Sequence, residues 1–169
     1  ARLSPQKGLD LALPAAALLK QRGVAFRWYI IGVGPEEAAL RAQAANLGLQ
    51  QDVVFLGEQG NPYPFLRACT VYAQPSRFEG KSIAVDEAMV MARPILLTYF
   101  STAADQIDSG RNGLIVPMNP EGIAEGLQRL LEDPALREQF SAALAAQDYT
   151  NEGELCKLCA LIEGEPSPQ

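Results

Sequence analysis

Five short apolar runs, each followed by a helix-patterned run, alternate along this chain, and that alternation restricts the fold more than any other feature of the sequence. The strand-like runs are 26–31, 52–57, 70–73, 95–98 and 113–117. Helical patterns follow each of them, over about 35–46, 61–67, from Ser82 onward, 101–108 and 120–132, with one more from Pro134 to about Ala146. Every crossover is long enough for a right-handed βαβ unit. The pattern predicts a doubly wound, mostly parallel α/β sheet of Rossmann-like type, with its ligand site at the carboxyl ends of the strands. An earlier helical run, 9–20, contains Pro14, which is expected to kink it or shorten its first turn. Pro at a helix start and Glu in the first turn place the second helix from about Pro35 to Asn46. Ser101 is a candidate cap for the short helix that follows it.

Length and charge narrow the function. The 169 residues suit one domain. Net charge is -6 and no Lys/Arg cluster occurs, which argues against nucleic acid as a partner. No apolar run reaches the roughly 18–20 residues of a membrane span, and no signal peptide is visible. Of three cysteines, Cys156 and Cys159 stand at i, i+3 spacing on a helix expected around 152–162, where packing is the simpler role. With no histidine in the chain, zinc ligation lacks the ligands it needs. Cys69 is expected in the core, and the odd cysteine count favours a reducing compartment.

The chemistry concentrates in residues 74–91. A strand-like run ends there in a polar turn bearing Ser76, Arg77, Glu79, Gly80 and Lys81, and a helix begins near Ser82. The first N–H groups of such a helix have no intrahelical partner, and its dipole adds positive potential, so the junction is a candidate anion site. Ile83, Ala84, Val85, Ala88, Met89, Val90 and Met91 leave the helix almost no polar face, which predicts burial on most sides. Glu87 lies on the Ile83–Val90 stripe. A carboxylate there needs donors, either from a structural partner or from ligand hydroxyls.

Glu79 and Glu87 complete an E-x7-E spacing inside P-S-R-F-E-G-K-S-I-A-V-D-E-A. This run resembles the nucleotide-sugar site of the retaining glycosyltransferases of the GT-B fold, in particular glycosyltransferase family 4. The resemblance covers roughly residues 2–132 and implies the C-terminal, nucleotide-sugar-binding half of such an enzyme. It implies that Glu79 contacts the donor sugar, that Glu87 holds the ribose hydroxyls, and that the backbone of Gly80, Lys81, Ser82 and Ile83 cradles the diphosphate. Arg2 and Lys7 match an R-x-x-x-x-K-G pattern and are implied to reach the phosphates; with Glu79 they form the catalytic set. Leu56 and Gly57, at the end of the F-L-G strand, are implied to receive the base. Asp105 stands where family members often carry Glu.

The implied reaction is transfer of a sugar from a UDP- or GDP-sugar to a glycan or lipid-linked acceptor, with no metal and no cofactor. The implied partner is an N-terminal acceptor-binding half, absent from this sequence; so is an apolar strand before Arg2, without which the sheet would have two unpaired edges. The reading therefore divides the chain into a nucleotide-sugar-binding domain over 1–162 and a flexible tail over 163–169. It implies a cytoplasmic protein, with any peripheral association to the inner face of the membrane carried by the missing half. Two rival readings share the architecture. A sugar-nucleotide 2-epimerase domain needs acid/base carboxylates and usually histidines. A non-catalytic nucleotide- or dinucleotide-binding module finds support in Gly32-x-Gly34, which is half a dinucleotide fingerprint without its third glycine or its acidic residue. Gly32-x-Gly34 is otherwise a tight strand-to-helix turn lining the donor cleft.

Overall fold

A computed structural model describes residues 2–147 and 149. The helix expected around 152–162, Cys156, Cys159 and the tail at 163–169 lie outside the described residues. A single 3-10 turn, Pro5–Lys7, precedes α1 (Leu9–Gln21). Strands and helices then alternate: β1 (Trp28–Ile31), α2 (Glu37–Asn46), β2 (Val53–Gly57), α3 (Tyr63–Ala68), β3 (Tyr72–Gln74), α4 (Ile83–Val90), β4 (Ile95–Thr98), α5 (Ala103–Gln106), β5 (Gly113–Val116), α6 (Pro120–Glu132) and α7 (Pro134–Ala145). All strand pairs are parallel. They form two separate ladders, β1-β2 and β3-β4-β5, rather than one continuous sheet.

The centre of the second ladder is β4, and it reads Ile-Leu-Leu-Thr because it is buried on both faces, as parallel strands are. Alternation sends its side chains to opposite layers. Leu96 joins Ala15, Leu19, Ile123, Leu127 and Phe140 beneath α1, α6 and α7. Ile95 and Leu97 join Val85, Ala88, Phe100, Ala103 and Ile107 beneath α4 and α5. A third layer, around Ile30, Leu40, Leu49 and Val53, seals β1 and β2 against α1 and α2.

Several local expectations change. Helix α2 starts at Glu37, because Pro35 and Glu36 are used in the turn that carries the Glu36 N–H to the Leu3 carbonyl. Pro14 does not shorten α1, which runs through it from Leu9 to Gln21. Proline cannot donate to the carbonyl four residues back, and the Asp10 carbonyl is satisfied instead by Gln43 Nε2 at 3.0 Å, from α2. Helix α4 is not buried on most sides: Val85 and Ala88 are, whereas Ile83 is 73% and Val90 62% exposed. Cys69 is half-buried rather than in the core, its Sγ donating to the Leu66 carbonyl at 3.1 Å. Thr102, not Ser101, occupies the cap position of α5, and its hydroxyl bonds elsewhere.

Candidate functional site

The site begins with a backbone approach that only glycine permits. Gly8 takes φ +62 at the end of the Pro5–Lys7 turn, and a Cβ there would lie 2.0 Å from the Pro75 carbonyl oxygen. The chain start is thereby pressed against the loop after β3. Arg77 fastens the two together: its N–H donates to the Gln6 carbonyl at 2.8 Å, and Nη1 to the Pro5 carbonyl at 2.7 Å. Its guanidinium also forks onto both Asp10 oxygens at 2.7 and 2.6 Å, the bidentate geometry that makes arginine pairs specific. That hydrogen bond, with the Arg77 charge beside it, holds the Asp10 carboxyl below its usual range. Gly34 plays a similar part on the other side, since a Cβ there would lie 2.3 Å from the Leu3 carbonyl oxygen. The Gly32-x-Gly34 turn therefore makes room for the chain start.

This fastening unites residues 72 positions apart. Lys7 Nζ donates to Glu79 Oε1 at 2.6 Å, with the two side chains 22% and 9% exposed. Ser76 Oγ donates to the same oxygen at 2.7 Å, and Gln6 Nε2 to Oε2 at 3.3 Å. Thr102 Oγ1 lies 3.0 Å from the Glu79 carbonyl and 2.8 Å from that of Gly80, fixing the turn from the α5 side. Arg2 is exposed and touches neither Lys7 nor Glu79. It lines a shallow groove of about 400 Å3 beside them, with Ser4, Gln6, Arg77 and Phe78.

Beyond Gly80 the chain enters α4. Lys81 pairs with Asp86 at 3.2 Å and is otherwise exposed. The Ser82 N–H is taken by Gln106 Oε1 at 3.2 Å, so the free donors of the first turn are those of Ile83 and Ala84. Glu87, half-buried, accepts one hydrogen bond, from Tyr63 Oη at 3.0 Å. No cation pairs with it among the described residues. The hydrogen bond to Glu87 raises the Tyr63 pKa above 10.0. Leu56 and Gly57 close β2 within the same carboxyl-terminal edge; the Leu56 carbonyl accepts from Gln59 Nε2 at 2.8 Å, and that of Gly57 from the Gly32 N–H at 2.7 Å. Asp105 is exposed.

The structure thus brings Lys7 and Glu79 together, places Gly80 to Ile83 directly after them, and leaves Arg2 nearby without contact. Sequence reasoning missed Gln6, Thr102, Gln106 and Gln74. Gln6 adjoins Lys7 in the sequence. Thr102 and Gln106 have i, i+4 spacing, which places two polar side chains on one face of a short helix and was a usable signal. Among the described residues, no group of three or more His, Cys, Asp or Glu side chains could hold a metal ion, and no helix is long and apolar enough to cross a membrane.

Several known proteins resemble this chain in sequence or in fold. The α-D-kanosaminyltransferase of Streptomyces kanamyceticus is 31% identical over 156 residues, spanning 88% of this chain and 40% of the relative. The crystal structure of a mutant of S. aureus TarM with fondaparinux, α-GlcNAc-glycerol and UDP superimposes with a TM-score of 0.86 at 24% identity, over 95% of this chain and 34% of that one. The C-terminal domain of the glycosyl transferase group 1 family protein LpcC from Francisella tularensis gives 0.76 at 22% identity, over 85% of this chain and 78% of that one. These structures share the fold, an α/β architecture with parallel sheets of the GT-B type. The chain spans less than half the length of the curated relatives it matches, 40% in the first case. The model of the glycosyl transferases group 1 family matches residues 1–146, and the chain belongs to that family.

Proposed function

We propose that this chain is the donor-binding, C-terminal half of a retaining family 4 glycosyltransferase, taking a UDP- or GDP-sugar and passing the sugar to a glycan or lipid-linked acceptor. One observation carries the reading: Lys7 and Glu79 meet at 2.6 Å immediately before the N-terminus of α4. That places a cation, a carboxylate and free helical N–H groups side by side at the carboxyl ends of parallel strands, where ligands of open α/β sheets bind.

In this reading the Ile83 and Ala84 N–H groups and the Gly80–Lys81 backbone receive the diphosphate. Lys7 and the exposed Arg2 neutralise charge as the sugar–phosphate bond breaks, and the dipole of α4 adds to them. No metal is required for that role. Loss of one such preorganised donor typically costs about 2.7–4 kcal/mol of transition-state stabilisation. Glu79 is held at the leaving-group end by Lys7, Ser76 and Gln6, where its second oxygen can accept a donor-sugar hydroxyl. Glu87 accepts from one tyrosine, which leaves lone pairs for ribose hydroxyls. Leu56 and Gly57 lie where the base would approach main chain. The acceptor would be positioned by a separate N-terminal half, since positioning can supply about 7–11 kcal/mol of a barrier.

Titration calorimetry with UDP, GDP and their sugar conjugates tests the assignment. Micromolar-range binding of one nucleoside diphosphate, weakened in Lys7→Ala, is the expected result. A chain that binds neither nucleotide loses this function. With donor and candidate acceptors supplied, the chain is expected to transfer sugar only when the matching N-terminal half is added. Efficient transfer without it would contradict the division of labour.

A further inference from the structure

Three of the longer helices begin with a side chain able to cap, but only two are capped. Asn119 accepts from the Gly122 N–H at 2.7 Å at the start of α6, and Asp133 from the Leu136 N–H at 2.9 Å at the start of α7. Ser82 has the extended backbone of a cap residue, φ -89 and ψ 109, yet its side chain makes no capping bond. Its hydroxyl turns inward and donates to Gln74 Oε1 at 2.9 Å.

Gln74 sits on the last residue of β3, only 6% exposed. Its Oε1 also accepts from Tyr72 Oη at 2.9 Å, while its Nε2 is buried with no partner among the described residues. Burial is the first cause raising the Tyr72 pKa, with the Glu79 and Glu87 charges adding to it, so the hydroxyl stays a neutral donor. A buried amide half of which is unsatisfied lowers stability relative to an apolar side chain of similar size. The unpaired amide is the cost of an acceptor that receives two hydroxyls, one of them that of Ser82. From the other side, Gln106 grips the backbone of Ser82: Oε1 accepts its N–H at 3.2 Å, and Nε2 donates to its carbonyl at 3.0 Å and to Asp86 Oδ1 at 3.3 Å.

We propose that Gln74 and Gln106 are positioning residues that hold Ser82 out of its capping geometry, keeping the first-turn N–H groups of α4 open for the donor's diphosphate. This rests on the diphosphate reading of the site. A serine at this position normally folds its hydroxyl back over the second or third helical N–H, which would fill the space a phosphate oxygen must occupy. Gln74 draws that hydroxyl away, and Gln106 fixes the peptide so that it cannot swing round. The uncapped helix is less stable by itself and better suited to an anion.

The experiment compares the wild type, Gln74→Leu, Ser82→Ala and the double variant in the same intact protein. In Gln74→Leu the freed hydroxyl caps α4, and affinity for UDP falls about fivefold, the size of an N-cap hydrogen bond. Ser82→Ala alone changes affinity by less than about twofold, and the double variant recovers wild-type affinity to within the same margin. Failure of the second substitution to restore binding overturns the proposal, because a purely structural defect in Gln74→Leu would persist in the double variant. Amide hydrogen exchange without nucleotide gives an independent readout. Protection at Ala84 rises in Gln74→Leu and returns to baseline in the double variant; unchanged protection also overturns the proposal. Should the cap switch be seen while the wild type binds no nucleoside diphosphate, the positioning stands and the diphosphate reading falls.

Discussion

The two glutamates of the E-x7-E pair differ in how completely the protein satisfies them. Glu79 accepts from Lys7, Ser76 and Gln6, on a loop pinned by Arg77, Gly8 and Thr102. Among the described residues Glu87 accepts from Tyr63 alone, on a helix whose outer face leaves Ile83 and Val90 in solvent. A carboxylate has about four lone-pair sites. Three are engaged at Glu79 before any ligand arrives, so that end is rigid and its geometry is set by folding. At Glu87 most remain open among the described residues, and in the proposed reading a bound ligand would complete that end. Identical side chains eight positions apart therefore divide into a fixed anchor and a receiver, and the difference lies in their neighbours.

The largest expected effect breaks the anchor. Gly8→Ala puts a methyl group 2.0 Å from the Pro75 oxygen at positive φ, which is expected to cost at least about 2 kcal/mol through overpacking and backbone strain. A thermal melt together with nucleotide titration checks it; a variant with wild-type stability would mean the Pro5–Lys7 turn can move away from the loop. Next comes Lys7→Met. It leaves the largely buried Glu79 charge with two neutral donors and is expected to destabilise by about 1–3 kcal/mol, with loss of diphosphate affinity. Neutralising both partners in Lys7→Met/Glu79→Gln is expected to recover part of the stability and none of the affinity, which a double-mutant cycle measures.

At the receiver the same chemistry has the opposite signature. Glu87→Ala removes a single hydrogen bond, so unfolding is expected to shift by less than about 1 kcal/mol, while calorimetry shows weakened binding of a nucleoside diphosphate. Glu79→Ala is expected instead to separate the full sugar nucleotide, which loses affinity, from the bare diphosphate, which loses less. Equal losses for both ligands would erase the distinction between the two glutamates.

Two titrations sharpen it further, with smaller effects. The Arg77 guanidinium holds the folded-state pKa of Asp10 below the ordinary 3.8. Its contribution is therefore present above that value and lost as pH falls through the folded pKa. Wild-type and Arg77→Gln stability curves should differ above about pH 4 and converge in more acidic solution, by no more than about 1 kcal/mol for so exposed a pair. Parallel curves would show that the pair is not what fastens the loop. At the other end, Glu87→Gln should bring the raised Tyr63 pKa back toward 10.0, visible in the carbon spectrum of ring-labelled tyrosine. A Tyr63 titration indifferent to that change would remove the one hydrogen bond Glu87 accepts among the described residues.

Most of the element order was legible in advance, because it rests on local rules. Periodicity, proline at helix starts and the apolar run at Ile95–Thr98 place β4 and α6 at the ends observed. The local rules failed where a distant group intervened. Pro14 reads as a helix breaker until Gln43 arrives from another helix to satisfy the Asp10 carbonyl. Helix α4 reads as buried because its composition is apolar, yet burial depends on what packs against each side, and nothing among the described residues covers Ile83 and Val90. Ser82 has the backbone of a cap residue, but Gln74 competes for its hydroxyl.

The sequence by itself determined the α/β class, the strand–turn–helix junction at Gln74–Ile83 and the E-x7-E spacing of Glu79 and Glu87. These follow from propensities and spacings that act over a few residues. Only the tertiary structure decided that Lys7 meets Glu79, that Arg2 does not, and that the α4 N-terminus is left uncapped. Each of those outcomes depends on side chains 8 to 73 positions apart competing for the same oxygen or N–H. Such competitions are settled by the approach of one backbone to another, here that of Gly8 to Pro75, where an added Cβ would lie 2.0 Å from the Pro75 oxygen.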